Sequence, residues 1–183
     1  MVRAHRFTLR LSLTLNMPLL LFYLLSGANE EAIKLIVENT EKYGQGYFAY
    51  SAHKSGGVTM SHLRFGDHPI NSTYRIQNAD LISVHTTPYL KKFPQLLDPL
   101  KDNGTVILNS PWTTLEQIEK ALPNFVKRKI AKRKAKLYNV DATAIAKDSG
   151  LRGRINMIMQ GAFFKVIFLS ILNIIIATYL LFL

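Results

Sequence analysis

The sequence predicts an α/β fold, a three-layer sandwich around a largely parallel sheet, on three observations. Short β-branched or aromatic runs alternate with amphipathic stretches of about ten residues, the signature of strand–helix–strand units. The breaks between them carry glycine, proline or asparagine, which punctuate regular structure. A length of 183 residues with 48% hydrophobic content suffices for one buried core and is short for two ordinary domains.

Taken in order, Glu30 to Glu41 places Ala32, Ile33, Leu35, Ile36 and Val37 among charges, so a helix is expected before the Tyr43-Gly44 break. Gln45 to Ser51 and Val58 to Phe65 read as two strands around the His53-Lys54-Ser55-Gly56-Gly57 turn. Asp80 to His85 reads as a short buried strand, and Pro88 to Leu100 as a proline-punctuated helical connection. Lys101-Asp102-Asn103-Gly104 should turn, because an Asn-Gly pair tolerates positive φ, before a strand over Gly104 to Leu108. Thr113 with Glu116 three residues on suggests a capping box for a helix over Thr114 to Ala121. A basic helix over Leu122 to Ala135, a strand over Lys136 to Val140 and a short helix capped by Asp141 complete the series. The arrangement is Rossmann-like, and its crossovers should be right-handed. Ligands of such sheets gather beyond the carboxyl ends of the strands. Thr86-Thr87, Asn109-Ser110 and Asp141 each follow a predicted strand and would share that edge.

Charge and composition narrow the function classes. The chain has 23 Lys+Arg against 12 Asp+Glu, a formal net charge of +11, which suits anionic ligands, acidic partners, nucleic acid or anionic lipid without choosing among them. It has no cysteine, which excludes both a disulfide framework and a thiolate-held iron–sulfur cluster. Seven basic residues fall between Lys127 and Lys136, but Val126, Ile130 and Leu137 recur at helical spacing beneath them, so they form the solvated face of an amphipathic helix. No nucleic-acid-binding motif accompanies them. Both ends are apolar. Residues 1–26 carry Arg3, His5, Arg6 and Arg10 before the run Pro18 to Leu25, mimicking a secretory leader. Val166 to Leu183 is an uncharged run of 18 residues, the lower limit for a transmembrane helix. A membrane-anchored basic interaction module is therefore the alternative reading.

Ligand-contact chemistry concentrates in three tracts. Lys54-Ser55-Gly56-Gly57 offers an ammonium, a hydroxyl and approachable backbone N–H groups, which suit a phosphate or, more plainly, a hairpin turn with a solvated lysine. Asn109 and Ser110 precede Pro111, which holds them in an extended loop as a ligand rim, with Trp112 as a core anchor. Arg152, Arg154 and Asn156 either bind a phosphate or carboxylate or open a helix with solvent-facing arginines. Met157, Met159, Phe163 and Phe164 fit core or interdomain packing. His53, His62, His68 and His85 lack metal-ligand spacing, and no metal site, catalytic pair or triad is expected.

The succession Lys54-Ser55-Gly56-Gly57-Val58-Thr59-Met60-Ser61-His62-Leu63-Arg64-Phe65-Gly66, Leu108-Asn109-Ser110-Pro111-Trp112 and Gly153-Arg154-Ile155-Asn156-Met157-Ile158-Met159-Gln160-Gly161-Ala162-Phe163-Phe164-Lys165, with Ser72-Thr73-Tyr74 and Ala79-Asp80 between, resembles the gamma domain of the pyruvate:ferredoxin (flavodoxin) oxidoreductases. The resemblance covers 27–165. It leaves 1–26 as a non-homologous N-terminal segment and 166–183 as an apolar tail. It implies a fragment of a cytoplasmic enzyme that decarboxylates pyruvate on thiamine diphosphate, passes electrons through iron–sulfur clusters to ferredoxin or flavodoxin, and forms acetyl-coenzyme A. Thiamine diphosphate and the clusters would sit in the full enzyme. This domain would pack against the other domains and help handle coenzyme A through Lys54, Ser55, Gly56, Gly57, Asn109 and Ser110, without turning over pyruvate alone. The family's Gly-rich element with Asp-Gly-Thr-Val has no counterpart here, where Leu20 to Leu25 stand in its place.

Overall fold

A strand buried on both faces must be apolar on both, and Leu81, Ile82, Val84, Val106, Ile107 and Leu108 meet that demand. The computed structural model, which describes residues 20–23, 26–39, 41–49, 59–151 and 153–167, places them in a six-stranded sheet. The strands are β1 (Leu20–Tyr23), β2 (Tyr43–Ala49), β3 (Met60–Gly66), β4 (Ala79–Val84), β5 (Leu100–Asn109) and β6 (Lys136–Val140), in the order β2-β3-β1-β4-β5-β6. β1, β4, β5 and β6 run parallel to one another, whereas β3 runs antiparallel to both of its neighbours, β1 and β2. The α/β sandwich with a largely parallel sheet is thus the observed fold.

The helices are α1 (Ser26–Asn39), α2 (Pro88–Lys92), α3 (Leu115–Ala121), α4 (Asn124–Lys132), α5 (Ala142–Asp148) and α6 (155–167), with a 3-10 turn at Pro94–Leu97. One face of the sheet packs Ile82, Val84, Val106 and Leu108 against Leu90, Ile118, Val126 and Ile130 of α2, α3 and α4. The other packs Leu63, Leu81 and Ile107 against Ala32, Ala142, Met159 and Phe163 of α1, α5 and α6. Period-two alternation along each strand accounts for this division. Gly44 and Gly46 of β2 let α1 approach: a Cβ at Gly44 would come within 2.6 Å of the Val37 side chain, and one at Gly46 within 2.5 Å of Ile33.

Several sequence expectations need local correction. The capping box is one residue later than expected. Thr114 is the N-cap, its hydroxyl accepting from the Gln117 N–H while Gln117 Oε1 accepts from the Thr114 N–H, because an amide oxygen three residues on does the same work as the expected carboxylate. The basic helix does not begin at Leu122. Pro123 forces Leu122 to an extended ψ of 133°, which ends α3 and restarts the chain as α4. Leu137, read as part of that helical face, instead lies in β6. β5 starts at Leu100, ahead of the expected turn. Asn103 does take a positive φ of 60°, but as an irregularity inside the strand, where Ala79 pairs with Leu100 and Leu81 with Thr105.

Leu20–Tyr23, part of the apolar N-terminal run, forms β1 between β3 and β4. Residues 168–183 lie outside the described residues, and among the described residues no helix is long and apolar enough to cross a membrane. On α4, Val126 and Ile130 are buried while the cations face outward. Lys129 pairs with Asp98, Arg133 with Asp102 at 2.9 Å, and Lys127 donates to the Glu119 carbonyl.

The strand irregularity generates a test of the fold. A Cβ at Gly104 would lie 2.8 Å from Leu100 Cδ1 and 2.9 Å from the Lys101 carbonyl oxygen, and backbone cannot yield as a side chain does. Gly104→Ala is expected to destabilise the protein by about 1–3 kcal/mol. A urea midpoint equal to that of the unmodified chain would contradict the tight packing there.

Candidate functional site

Three parallel strands deliver the predicted rim to one margin. β4 leads into His85, Thr86 and Thr87, β5 ends at Asn109 before Ser110, and β6 ends at Val140 before Asp141. Chain direction flips between faces here: the helices following β4 and β5 cover one face, whereas those following β1 and β6 cover the other. Such reversals open crevices at the carboxyl ends of strands. Met60, at the start of β3, and its partner Ala49, at the end of β2, lie at the same margin because β3 is antiparallel to β1. Lys54, Ser55, Gly56 and Gly57 fall between them in sequence and lie outside the described residues.

Asn109 and Ser110 are buried, and both are held by hydrogen bonds within the chain. Asn109 Nδ2 donates to the His85 carbonyl at 3.0 Å and approaches Thr143 Oγ1 at 3.5 Å, while its Oδ1 accepts from the Ala142 N–H at 2.9 Å. Ser110 Oγ donates to Asn139 Oδ1, and Asn139 Nδ2 donates to the carbonyls of Ser110 at 3.1 Å and Trp112 at 2.7 Å. These side chains set the shape of the rim, and the loop they fix presents its backbone and Trp112. Trp112 is half-buried against the core, as an anchor for that loop should be. Asp141 caps α5, accepting from the Ala144 N–H at 2.9 Å. Asp80, at the opposite end of β4, is paired with Lys101 at 2.8 Å.

A polar cluster lies behind the rim that sequence reasoning did not single out. Ser83 Oγ, both ring nitrogens of His85, Asn156 Oδ1 and Gln160 Nε2 are buried without a hydrogen-bond partner among the described residues. Asn156 and Gln160 share a face of α6 with Met159 and Phe163, at i, i+4 and i+3, i+7, which is the face that packs on the sheet. The spacing was visible, but nothing in the sequence said that α6 would lie against the end of β4. Burial lowers the His85 pKa from 6.5 to about 4; the Asn156 side chain opposes this shift without completing a hydrogen bond. His62 is lowered likewise to about 4, by burial first and then by Arg64 and Arg75, and its Nδ1 accepts from the Ile76 N–H. Both rings are therefore neutral near pH 7. Arg154 is exposed and Arg152 lies outside the described residues. Among the described residues no three His, Cys, Asp or Glu side chains gather as metal ligands.

Two outcomes follow. Asn109→Ala leaves the His85 carbonyl and the Ala142 N–H buried without partners, so a loss of about 3 kcal/mol in urea unfolding is expected; a loss below about 1 kcal/mol would show the bridge to be replaceable. For pH, the unfolded chain protonates both histidines as pH falls below 6.5, whereas the folded state resists until about 4. The unfolded state thus binds more protons in that window, and each ring lowers stability by up to about 1.4 kcal/mol per pH unit on acidification. Unfolding curves at stepped pH should show this slope, and His85→Asn should reduce it by about half if the two rings contribute alike.

Comparison with known proteins places this geometry. The family model described as pyruvate ferredoxin/flavodoxin oxidoreductase matches residues 26–177. The pyruvate:ferredoxin oxidoreductase of Moorella thermoacetica is 51% identical over 140 residues, 76% of this chain and 12% of the relative. The pyruvate-flavodoxin oxidoreductase of Klebsiella pneumoniae is 49% identical over the same shares. The chain therefore spans about an eighth of the length of these relatives. Among solved structures, the pyruvate oxidoreductase subunit PORC of Thermotoga maritima superposes with a TM-score of 0.60 at 22% identity, covering 83% of this chain and 78% of the other. The gamma subunit of a keto/oxoacid ferredoxin oxidoreductase from Geobacter sulfurreducens gives 0.52 at 16% identity, covering 80% and 75%. Those likenesses concern the fold, and the sequence matches supply the kinship: this chain belongs to the pyruvate ferredoxin/flavodoxin oxidoreductase family.

Proposed function

We propose that this chain serves as the gamma domain of a pyruvate:ferredoxin or pyruvate:flavodoxin oxidoreductase and helps hold coenzyme A at the carboxyl margin of its sheet. The observation that carries the reading is the convergence of β4, β5 and β6 with the ends that flank Lys54–Gly57 along that one margin. In this reading Lys54, Ser55, Gly56 and Gly57 supply an ammonium, a hydroxyl and backbone donors to a phosphate. Asn109 and Ser110 act by fixing the facing loop, since their own polar atoms are already bonded. The unpartnered Ser83, His85, Asn156 and Gln160 fit a ligand that offers neutral hydrogen-bonding groups as well as charge.

The redox steps belong to other parts of the assembly. With no cysteine, this chain cannot ligate iron–sulfur clusters through thiolates, and thiamine diphosphate, electron transfer and the ferredoxin or flavodoxin contact are assigned to neighbouring domains or subunits. Packing against those neighbours is supported by exposed apolar side chains: Met157 at 62%, Tyr74 at 62% and Tyr43 at 47%. Cytoplasmic residence is part of the same reading.

Calorimetry of the full chain with coenzyme A tests the proposal. Saturable binding is expected, weakened on the order of tenfold by Lys54→Ala, as loss of a charge-assisted phosphate contact should do. Absence of heat, or an affinity indifferent to Lys54, would remove the coenzyme role while leaving the family assignment untouched.

A further inference from the structure

β2 forms one edge of the sheet, and among the described residues no strand lies beyond it. An open edge presents a row of unpaired N–H and C=O groups, and proteins commonly blunt such edges with lysine, proline or a bulge. β2 has none of these. Tyr43-Gly44-Gln45-Gly46-Tyr47-Phe48-Ala49 carries no charge and no proline, and it pairs with β3 along its whole length without a register shift. Period-two alternation puts Tyr43, Gln45 and Tyr47 on one face. On that face Gln45 Oε1 accepts from Arg64 at 3.1 Å, and the Tyr47 ring lies 5.7 Å from the His62 ring. Tyr74 joins them, with its ring 5.1 Å from the Arg64 guanidinium and its carbonyl accepting from Arg64. Tyr43, Tyr47 and Tyr74 are nevertheless 47%, 41% and 62% exposed. On the other face Val37 of α1, 40% exposed, borders the same edge beside Gly44.

The sequence of the edge states which strand fits it. Tyr43-Gly44-Gln45-Gly46-Tyr47 reads the same in both directions. A second β2 laid antiparallel and centred on Gln45 therefore sets Tyr43 against the other copy's Tyr47, Gly44 against Gly46, and Gln45 against itself. Cross-strand aromatic pairs stabilise antiparallel strands, and a carboxamide both donates and accepts, so every facing pair is complementary. Charge favours the same contact. With a formal net charge of +11 two copies repel over much of their surfaces, whereas this strip brings no like charges together, and Lys42 just before it is paired with Asp67. A buried tyrosine covers about 150–250 Å2, so the exposed fractions of these three rings offer on the order of 300 Å2 per copy before the strand edge is counted. A standard interface takes about 800 Å2 per partner, which puts this contact in the weak, concentration-dependent class. From these observations we propose that two copies of this chain associate edge to edge through β2 about a two-fold axis at Gln45, joining their sheets. The second copy is one of the neighbours that cover Tyr43 and Tyr74, and the inference rests on the β2 edge, independently of the coenzyme margin.

Sedimentation of the full chain from about 1 µM to about 1 mM should show a monomer–dimer equilibrium. Tyr43→Lys/Tyr47→Lys sets lysine against lysine in both cross-strand pairs at two exposed positions, and should raise the dissociation constant roughly tenfold with circular dichroism retained. Leu115→Lys/Ile145→Lys adds the same charge on α3 and α5 and should change it far less. The lack of cysteine makes the register readable, since each introduced thiol is the only one in its chain. Facing Cα atoms of antiparallel strands lie about 4.5–5.5 Å apart, within disulfide reach. Under mild oxidation Gln45→Cys should cross-link to itself, and Tyr43→Cys should cross-link to Tyr47→Cys when the two are mixed. Tyr43→Cys alone should stay uncoupled, because the two copies of that residue lie four positions apart along the strand, about 14 Å. A monomer throughout the concentration range, or a dimer equally sensitive to both double variants, overturns the inference. Cross-linking of Tyr43→Cys alone as readily as of the mixture, which association elsewhere on the chain or in another register would give, also overturns it.

Discussion

The arrangement depends on one constraint: the carboxyl ends of β4, β5 and β6 must stay level. Parallel ladders fix register only along the strands, and their ends are where regular hydrogen bonding stops. The Asn109 carboxamide takes over at that point, donating to the carbonyl just past β4 and accepting from the first N–H of α5 just past β6. A single buried side chain thus joins the continuations of three strands. The bond network of Ser110 and Asn139 repeats the device one step outward, tying the end of β5 to β6 and to the Trp112 loop. Hydrogen bonds between fully buried neutral groups gain little over water but are costly to break, so they specify geometry more than they add stability.

This explains why a motif that reads as a ligand rim can contain no free ligand-binding side chain. Sequence alone shows Asn and Ser before Pro at the end of a strand, a pattern equally suited to touching a ligand and to holding a loop in place. Burial decides between these roles, and burial is a property of the helices α5 and α6 that arrive later in the chain. The same limitation applies to His85. Its position after an apolar strand is legible, but its lowered pKa arises from burial, and Asn156, which opposes that shift, sits on an element about seventy residues away along the chain.

What could be read locally was read well. Alternation of strand and helix, the order of the elements, the Asp141 cap and the buried stripe of α4 all depend on neighbours within a few residues. The misplacements have equally local causes. Gln117 substitutes for the expected Glu116 in the capping box because either side chain offers an oxygen at the needed distance, and Pro123 divides what looked like one basic helix. Strand β1 was obscured for a different reason. Four apolar residues inside a longer apolar run have no periodicity to distinguish a strand from a leader, and only pairing with β3 and β4 gives them a role. The groove bounded by Lys91, Lys92, Trp112 and Lys120 was also invisible, since it requires the loops after two different strands to meet.

Charge follows the same division between wall and margin. The excess of cations is not spread evenly: on α4 several are neutralised by carboxylates on adjoining loops, which leaves that helix a structural wall. Lys91, Lys92 and Lys120 line one groove together with Trp112, the single indole of the sequence. The chain has no thiolate with which to hold an iron–sulfur cluster, and burial keeps the His62 and His85 rings neutral near pH 7. Exposed Met157, Tyr43 and Tyr74 are, on the proposed reading, surface that other parts of an oxidoreductase would cover.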